Sequence, residues 1–89
     1  MKTSYAASFV KDLKRLRGNP IYQRVKVLAF DTFPTLEGLA DIPQLKKMQG
    51  ANNAYRIRVG DYRIGFTLDG ETVTFKRVLH RKDIYRYFP

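Results

Sequence analysis

The 89-residue sequence contains no cysteine and only one histidine, and each shortage excludes a class of protein. Without cysteine the chain has neither a disulfide framework nor a thiolate metal site, so the reducing cytoplasm is the expected compartment for so small a domain. A single histidine cannot hold a structural metal by itself, and we expect no metal or other cofactor.

Long apolar runs are missing as well. No segment approaches the ~20 residues of a membrane span, and residues 1–10 lack the continuous apolar stretch of a signal peptide. We therefore expect a soluble protein without a membrane partner. The length allows one domain, residues 1–89, and a hydrophobic content of 44% excludes a disordered chain.

Acidic side chains are scarce: 8 Asp and Glu stand against 17 Lys and Arg, for a net charge of +9. Such an excess predicts a polyanionic partner. Charge alone does not distinguish RNA, DNA, an acidic protein or a merely solvated basic surface.

The first part of the chain predicts a short strand, Lys2 to Ala6, and then two helices. Ser8 is the expected N-cap of the first helix, which ends near Gly18, and Asn19-Pro20 begins the second. The apolar stripes of the two helices are Phe9, Leu13 and Leu16, and Ile21, Val25 and Leu28; Asp12 falls outside the first stripe. The pair should form a helical hairpin.

Residues 33–49 contain Pro34, Gly38 and Pro43 and predict a loop with one helical turn at most. Its apolar side chains should attach this loop to the core rather than line a small-molecule pocket; they are Leu36, Leu39, Ile42, Leu45 and Met48.

The last third has the clearest pattern, three strands joined by tight turns. The strands are Ala54 to Val59, Tyr62 to Leu68 and Thr72 to Leu79, with turns at Gly60-Asp61 and Asp69-Gly70. An antiparallel meander packed on the helical hairpin gives a two-layer α+β domain, followed by a short C-terminal tail or helix.

Alternation along these strands separates apolar from basic side chains. Tyr55, Ile57 and Val59 point to one face, and Arg56 and Arg58 to the other. By the same rule Arg63 and Lys76 join the basic face, where Gly65 and two threonines leave space for a ligand. Arg77, Val78 and Leu79 break the alternation, which indicates a bulge or an edge there.

This basic face is suited to phosphate, because guanidinium groups present planar forks of donors to phosphate oxygens. The alternative is an ordinary solvated face of an antiparallel sheet. The following tail contains His80, Arg81, Lys82 and Tyr85, residue types that move protons, neutralise charge or stack on bases. Alternatively Ile84, Tyr85 and Phe88 only pack the tail onto the core.

Three segments resemble a known family. A-Y-R-I-R-V-G-D-Y-R-I at 54–64 and V-L-H-R-K-D-I-Y at 78–85, with S-F-V-K-D-L-K-R-L at 8–16, are similar to the RelE/ParE toxin superfamily. The resemblance extends over nearly the whole chain and implies a RelE-like fold.

For function the resemblance implies a type II toxin that a RelB-like antitoxin silences and that cuts mRNA in the ribosomal A site. The ribose 2′-hydroxyl attacks the adjacent phosphate without a metal and leaves a 2′,3′-cyclic phosphate. An acidic amphipathic segment of the antitoxin is the expected partner of so basic a toxin.

By position, the resemblance implies catalytic roles for Arg58, Arg63, Arg81 and Tyr85, and RNA contacts for Arg56. Lys76 and Lys82 are further candidate phosphate contacts. The family has a lysine as proposed general base where this chain has Arg58, and an arginine is a poor proton acceptor near neutral pH. Either Arg58 only supports charge, or His80 takes over the acid and base work.

A rival interpretation is the ParE branch of the superfamily, a non-enzymatic inhibitor of DNA gyrase on the same scaffold. A plain nucleic-acid-binding module is a third. The sequence does not give codon preference, cutting of free RNA or the identity of the antitoxin.

Overall fold

The computed structural model describes residues 1–89 and has a mixed sheet covered by helices, the α+β class expected from the sequence. Its elements are β1 (Lys2–Tyr5), α1 (Ala7–Arg15), α2 (Ile21–Lys26), β2 (Leu45–Lys47), β3 (Ala54–Val59), β4 (Tyr62–Asp69), β5 (Thr72–His80) and α3 (Ile84–Tyr87). A π-helical segment, Val27–Thr32, extends α2. No helix is long and apolar enough to cross a membrane.

The sheet has five strands in the order β1-β5-β4-β3-β2. Strands β3, β4 and β5 form the expected antiparallel meander, and β1 pairs parallel with β5 through Lys2↔Thr72 to Tyr5↔Phe75. The main core fills the space between this sheet and the helices. Its largest fully buried side chains are Phe9, Phe33, Phe66 and Phe75. We call the opposite side of the sheet the outer face.

Strand β2 was not expected, since residues 33–49 were predicted to be a loop. Three residues are too few for a periodic pattern, and β2 is a strand only because it pairs with β3, Leu45 opposite Ile57 and Lys46 opposite Arg56. Two short 3-10 turns precede it, Phe33–Thr35 and Leu39–Asp41. Ile42 joins the main core as expected, but Met48 packs on the outer face instead.

Helix α1 begins at Ala7, one residue before the predicted N-cap, and Ser8 has a different task. The Ser8 hydroxyl donates to the Lys76 carbonyl at 2.7 Å, and Asp12 Oδ2 accepts from the Val78 amide at 3.1 Å. Because β1 pairs with β5 only as far as Phe75, the next stretch of β5 has no strand on its β1 side, and α1 supplies hydrogen bonds there instead.

Asp12 is therefore buried, at 3% exposure, although it falls outside the apolar stripe of α1. Its two carboxylate oxygens accept from Arg77 Nε at 2.7 Å and Nη2 at 3.0 Å. The hydrogen bond to Asp12 raises the pKa of Arg77, while burial lowers it to a smaller extent. This bidentate pair fastens α1 to the middle of β5.

The second helix begins at Ile21, one residue after Pro20, the predicted first helical position. Asn19 Oδ1 accepts a hydrogen bond from the Ile21 amide at 2.9 Å, which satisfies a free amide of the first turn. The Asn19 side chain also donates to the Tyr62 hydroxyl at 3.2 Å. The turn between α1 and α2 is thereby tied to the start of β4.

The break in alternation is a β-bulge, one residue earlier than expected. Phe66 lies opposite Phe75 and Gly65 opposite Arg77, so Lys76 is the extra residue of β5. After the bulge Val78 returns to the core, at 1% exposure. The bulge therefore decides which face the residues that follow on β5 occupy.

The outer face is not open at Gly65, where the sequence suggested space for a ligand. A small cluster of Met48, Ala54, Ile84 and Phe88 packs there. A Cβ added to Gly65 would lie 2.5 Å from Cδ2 of Phe88, so the glycine is needed for the Phe88 ring to rest on β4. This contact holds α3 against the sheet.

Candidate active site on the outer face

Arginine side chains from β3 and β4 lie beside each other on the outer face. Arg58 is directly opposite Arg63, and Arg56 is opposite Gly65 on the same face. Neighbouring positions on paired strands are about 5 Å apart, so the three positive charges repel each other. A surface of this kind is most stable when an anion occupies it.

Arg63 is at the centre of this group. Its Nη1 donates to the carbonyls of Gly60 at 2.9 Å and Tyr62 at 3.0 Å, which fixes the guanidinium at the β3–β4 turn. Burial lowers the pKa of Arg63, and the charges of Arg56, Arg58 and Arg81 lower it further, while Tyr85 acts in the opposite direction. All five side chains therefore share one electrostatic environment.

Arg81 lies in the turn after β5 and adds its charge to this group of side chains. Its amide donates to the Asp61 carbonyl at 2.7 Å, and its Nε lies 3.8 Å from Asp61 Oδ1. Both side chains are largely exposed, 57% and 76%, so the ion pair adds little stability. The backbone hydrogen bond fixes the main chain at Arg81, and the exposed guanidinium can contact a ligand.

Tyr85, on α3, is the last member of the group of side chains around Arg63. Its hydroxyl accepts a hydrogen bond from Arg56 Nε at 3.3 Å, and Arg56 Nη1 also donates to the Gln44 carbonyl at 3.2 Å. The Tyr85 ring is 59% exposed, so one side of it remains available for stacking. Phe88 and Ile84, the buried residues flanking it, determine where the ring stands.

His80 does not lie with the arginines. It pairs with Tyr62 on the helix-covered face, and the two rings meet edge to face at 5.5 Å between centroids. Its Nδ1 accepts a hydrogen bond from the Lys82 amide at 3.2 Å, inside the turn that carries Arg81. The sequence grouped His80 with the arginines, and the structure separates them across the sheet.

The two candidate lysines are also apart from the centre. Lys76, at the bulge, lines a hollow with Thr67 and Phe88, so the Phe88 ring over Gly65 stands between it and Arg63. Lys82 is exposed in the turn after Arg81. Neither has a hydrogen-bonding partner for its ammonium group.

Lys46 is a basic residue of this face that sequence reasoning missed. It is opposite Arg56 across the β2–β3 ladder and is exposed, so it extends the row of charges to the sheet edge. The sequence carried no signal for it, because its face is defined only once β2 is known to be a strand. No group of three or more His, Asp or Glu side chains is placed to hold a metal ion.

With this geometry established, comparison with known proteins identifies the family. Residues 4–85 match the family described as ParE toxin of type II toxin-antitoxin system, parDE. Toxin RelE3 of Methanocaldococcus jannaschii is 48% identical over 90 residues and is covered completely, as is this chain. The chain belongs to the RelE/ParE superfamily of type II toxins.

Solved structures agree with this assignment. The toxin fold superposes on the RelB-RelE antitoxin-toxin complex from Methanococcus jannaschii with a TM-score of 0.79 and 46% identity, covering 97% of this chain and 99% of that one. YafQ from E. coli is similar in fold alone, with a TM-score of 0.71 at 16% identity over 91% and 93% of the two chains. The RelE-like fold expected from the sequence is confirmed.

Proposed function

We propose that this toxin is a ribosome-dependent mRNA endoribonuclease that inhibits translation without a metal cofactor. The observation that carries the proposal is the meeting of five side chains at one end of the outer face, namely Arg56, Arg58, Arg63, Arg81 and Tyr85. Similarity over the full length to a protein named RelE supports the same branch of the superfamily.

In this proposal the sheet arginines bind the scissile phosphate. Arg63 donates Nη1 to the turn carbonyls, so its remaining N–H groups are free for phosphate oxygens. Burial and the neighbouring arginines lower the pKa of Arg63, and the single negative charge of a bound phosphodiester relieves the repulsion among those arginines. This gain grows as further negative charge develops in the transition state.

The reaction we assign is attack of the ribose 2′-oxygen on the adjacent phosphorus. The P–O5′ bond breaks, the 2′-hydroxyl loses its proton, the 5′-oxygen gains one, and a 2′,3′-cyclic phosphate remains. Tyr85 orients the RNA at the reacting centre, and Arg81 stabilises the leaving oxygen. Arg58 acts as a positive charge and not as a base, since a guanidinium donates hydrogen bonds and has no acceptor.

His80 is assigned a positioning role instead of proton transfer. The hydrogen bond from Lys82 occupies Nδ1, and the ring rests against Tyr62 on the other face of the sheet. In this position His80 shapes the turn from which Arg81 extends. Positioning and charge stabilisation then provide most of the rate enhancement.

Two partners belong to the proposal, the ribosome with mRNA in its A site and a cognate RelB-like antitoxin. The related toxin from Methanococcus jannaschii is seen with RelB. A net charge of +9 favours an antitoxin segment that is acidic and amphipathic, because opposite charges accelerate and orient association. We propose that this complex forms in the cytoplasm.

The experiment is a translating extract in which mRNA ends are mapped after addition of the purified toxin. We expect cuts in phase with codons inside the A site, each leaving a 2′,3′-cyclic phosphate. Arg63→Ala and Arg81→Ala should each lower cleavage by about 10²-fold or more, the loss typical of a group that stabilises transition-state charge.

Arg17→Ala is the matched control, since it removes an exposed positive charge in the turn after α1 and should leave cleavage unchanged. Antitoxin binding should survive in the Arg63 and Arg81 variants. Intact mRNA with trapped gyrase–DNA complexes would support the ParE-like alternative, and full activity of both variants would refute the assigned roles.

A further inference from the structure

A hollow of about 400 Å³ lies on the outer face between β2 and α3. Its walls include Lys46, Met48 and Gln49 from the β2 side and Tyr85, Phe88 and Pro89 from the α3 side. None of these residues except Tyr85 has a part in the reaction proposed above. We call this space the β2–α3 hollow.

The hollow continues the arginine site. Lys46 is opposite Arg56 in the β2–β3 ladder, and Arg56 donates to the hydroxyl of Tyr85, whose ring forms a wall of the hollow. An RNA strand whose phosphate is bound by Arg63 and Arg56 would therefore enter the β2–α3 hollow just beyond Tyr85.

The walls have the composition of a site for a flat, polar heterocycle. The rings of Tyr85 and Phe88 and the thioether of Met48 offer apolar and π surfaces, on which nucleobases stack. The Gln49 amide adds both a donor and an acceptor, and Lys46 adds a positive charge at the rim. A single-stranded RNA base has these complementary groups.

We propose that the β2–α3 hollow is a subsite for the nucleobase next to the scissile phosphate, with Gln49 contacting its polar edge and Lys46 holding the phosphate beyond it. This inference rests on the function proposed above. It makes Lys46 and Gln49 determinants of which codons are cut, and it assigns them no part in the chemical step.

Met48 and Met1 are the only methionines, which provides an internal control for a test by NMR. Met48 lines the hollow, and Met1 lies at the far edge of the sheet, before β1. The probe is a single-stranded RNA trinucleotide with 2′-O-methyl groups, which cannot be cut, compared with the same probe lacking the base next to the central phosphate. Arginine Nε signals report occupation of the phosphate site.

We expect the complete probe to shift the Met48 methyl signal by the ring current of the bound base, while Met1 stays unchanged. The abasic probe should shift the arginine signals without this change at Met48. If the arginine signals respond to both probes and Met48 responds to neither or equally to both, the subsite is refuted and the proposed phosphate site stands. If no signal responds, both proposals lose their support.

A second measurement uses cleavage itself. Gln49→Ala and Lys46→Ala should redistribute the cuts among codons, with the largest loss at the codons that the wild-type toxin prefers, whereas Lys14→Ala, an exposed lysine on α1, should not. An unchanged codon distribution in both variants would overturn the subsite. Absence of cuts by the wild-type toxin would instead contradict the proposed endoribonuclease.

Discussion

Arg58 shows at the scale of one residue how the proposed phosphate site lowers the stability of the free protein. It is exposed, opposite Arg63 and without an acidic partner, so the folded state holds like charges together that are farther apart on average in the unfolded chain. Binding of the proposed RNA phosphate would compensate for this repulsion.

Arg58→Gln should therefore raise the free energy of unfolding by about 0.5 kcal/mol in low salt, the size of an exposed charge interaction, while lowering cleavage. Thermal unfolding with and without added salt measures the effect, and the gain should vanish at high ionic strength because the repulsion is screened. Arg15→Gln, on α1, should give no such salt-dependent gain. Equal behaviour of the two variants would contradict the argument.

His80 is the residue whose position the sequence predicted least well. Its neighbours in sequence, Arg81 and Tyr85, do join the arginine site, but the bulge at Lys76 shifts the alternation along β5 and turns His80 toward Tyr62. One extra residue in a strand exchanges the two faces, and a single sequence does not show where it is inserted.

From this position we expect His80→Asn to retain most of the cleavage activity, since the Asn oxygen can accept the Lys82 amide in place of Nδ1. His80→Leu, which removes the acceptor, should lose more by loosening the turn before Arg81. The ratio of the two rates in the translating extract is the measurement. An Asn variant as inactive as the Leu variant would return His80 to the acid and base chemistry.

At the scale of elements, two short segments, β2 and α3, form the borders of the arginine site. The three meander strands followed from alternation and from two turn signals, and the structure confirms them. The sequence did not predict β2 or the position of α3, because both depend on pairing and packing with residues distant in sequence. The arginine row was thus predicted, whereas Lys46 and the Phe88 ring over Gly65 were not.

Gly65 tests the link between α3 and the site. In Gly65→Ala the new Cβ would overlap Phe88, so the ring must move and carry Tyr85 away from Arg56. We expect a loss of about 1–3 kcal/mol in the free energy of unfolding, typical of overpacking, and a fall in cleavage. Gly38→Ala is the control, because a Cβ there meets nothing within 4 Å. Full activity of Gly65→Ala would show that the position of α3 is unimportant.

The molecule as a whole carries its excess charge on many elements, and only part of that charge lies at the outer-face site. The net charge of +9 predicted a polyanion partner, but it did not show where the partner binds. The proposed location depends on the fold, which brings together arginines 25 positions apart in sequence, from Arg56 to Arg81.

The salt dependence of binding separates the two contributions. For single strands the slope of log K against log salt is about −0.7 per phosphate neutralised, so binding of uncuttable RNA should weaken steeply with salt. Arg63→Ala should make the slope shallower by about 0.7, and Arg17→Ala should leave it unchanged. Equal slopes for the two variants would mean that the charge acts only as a diffuse field.

The parallel pairing of β1 with β5 has a consequence for synthesis of the toxin. Lys2 is opposite Thr72, so β1, the first strand to leave the ribosome, cannot pair until β5, the last strand, has been synthesised. At about 5–20 residues per second this delay lasts several seconds. The β5 edge that α1 covers is likewise made last. Chains interrupted before β5 therefore lack the complete sheet, and the toxin is assembled only when translation of its own message is nearly finished.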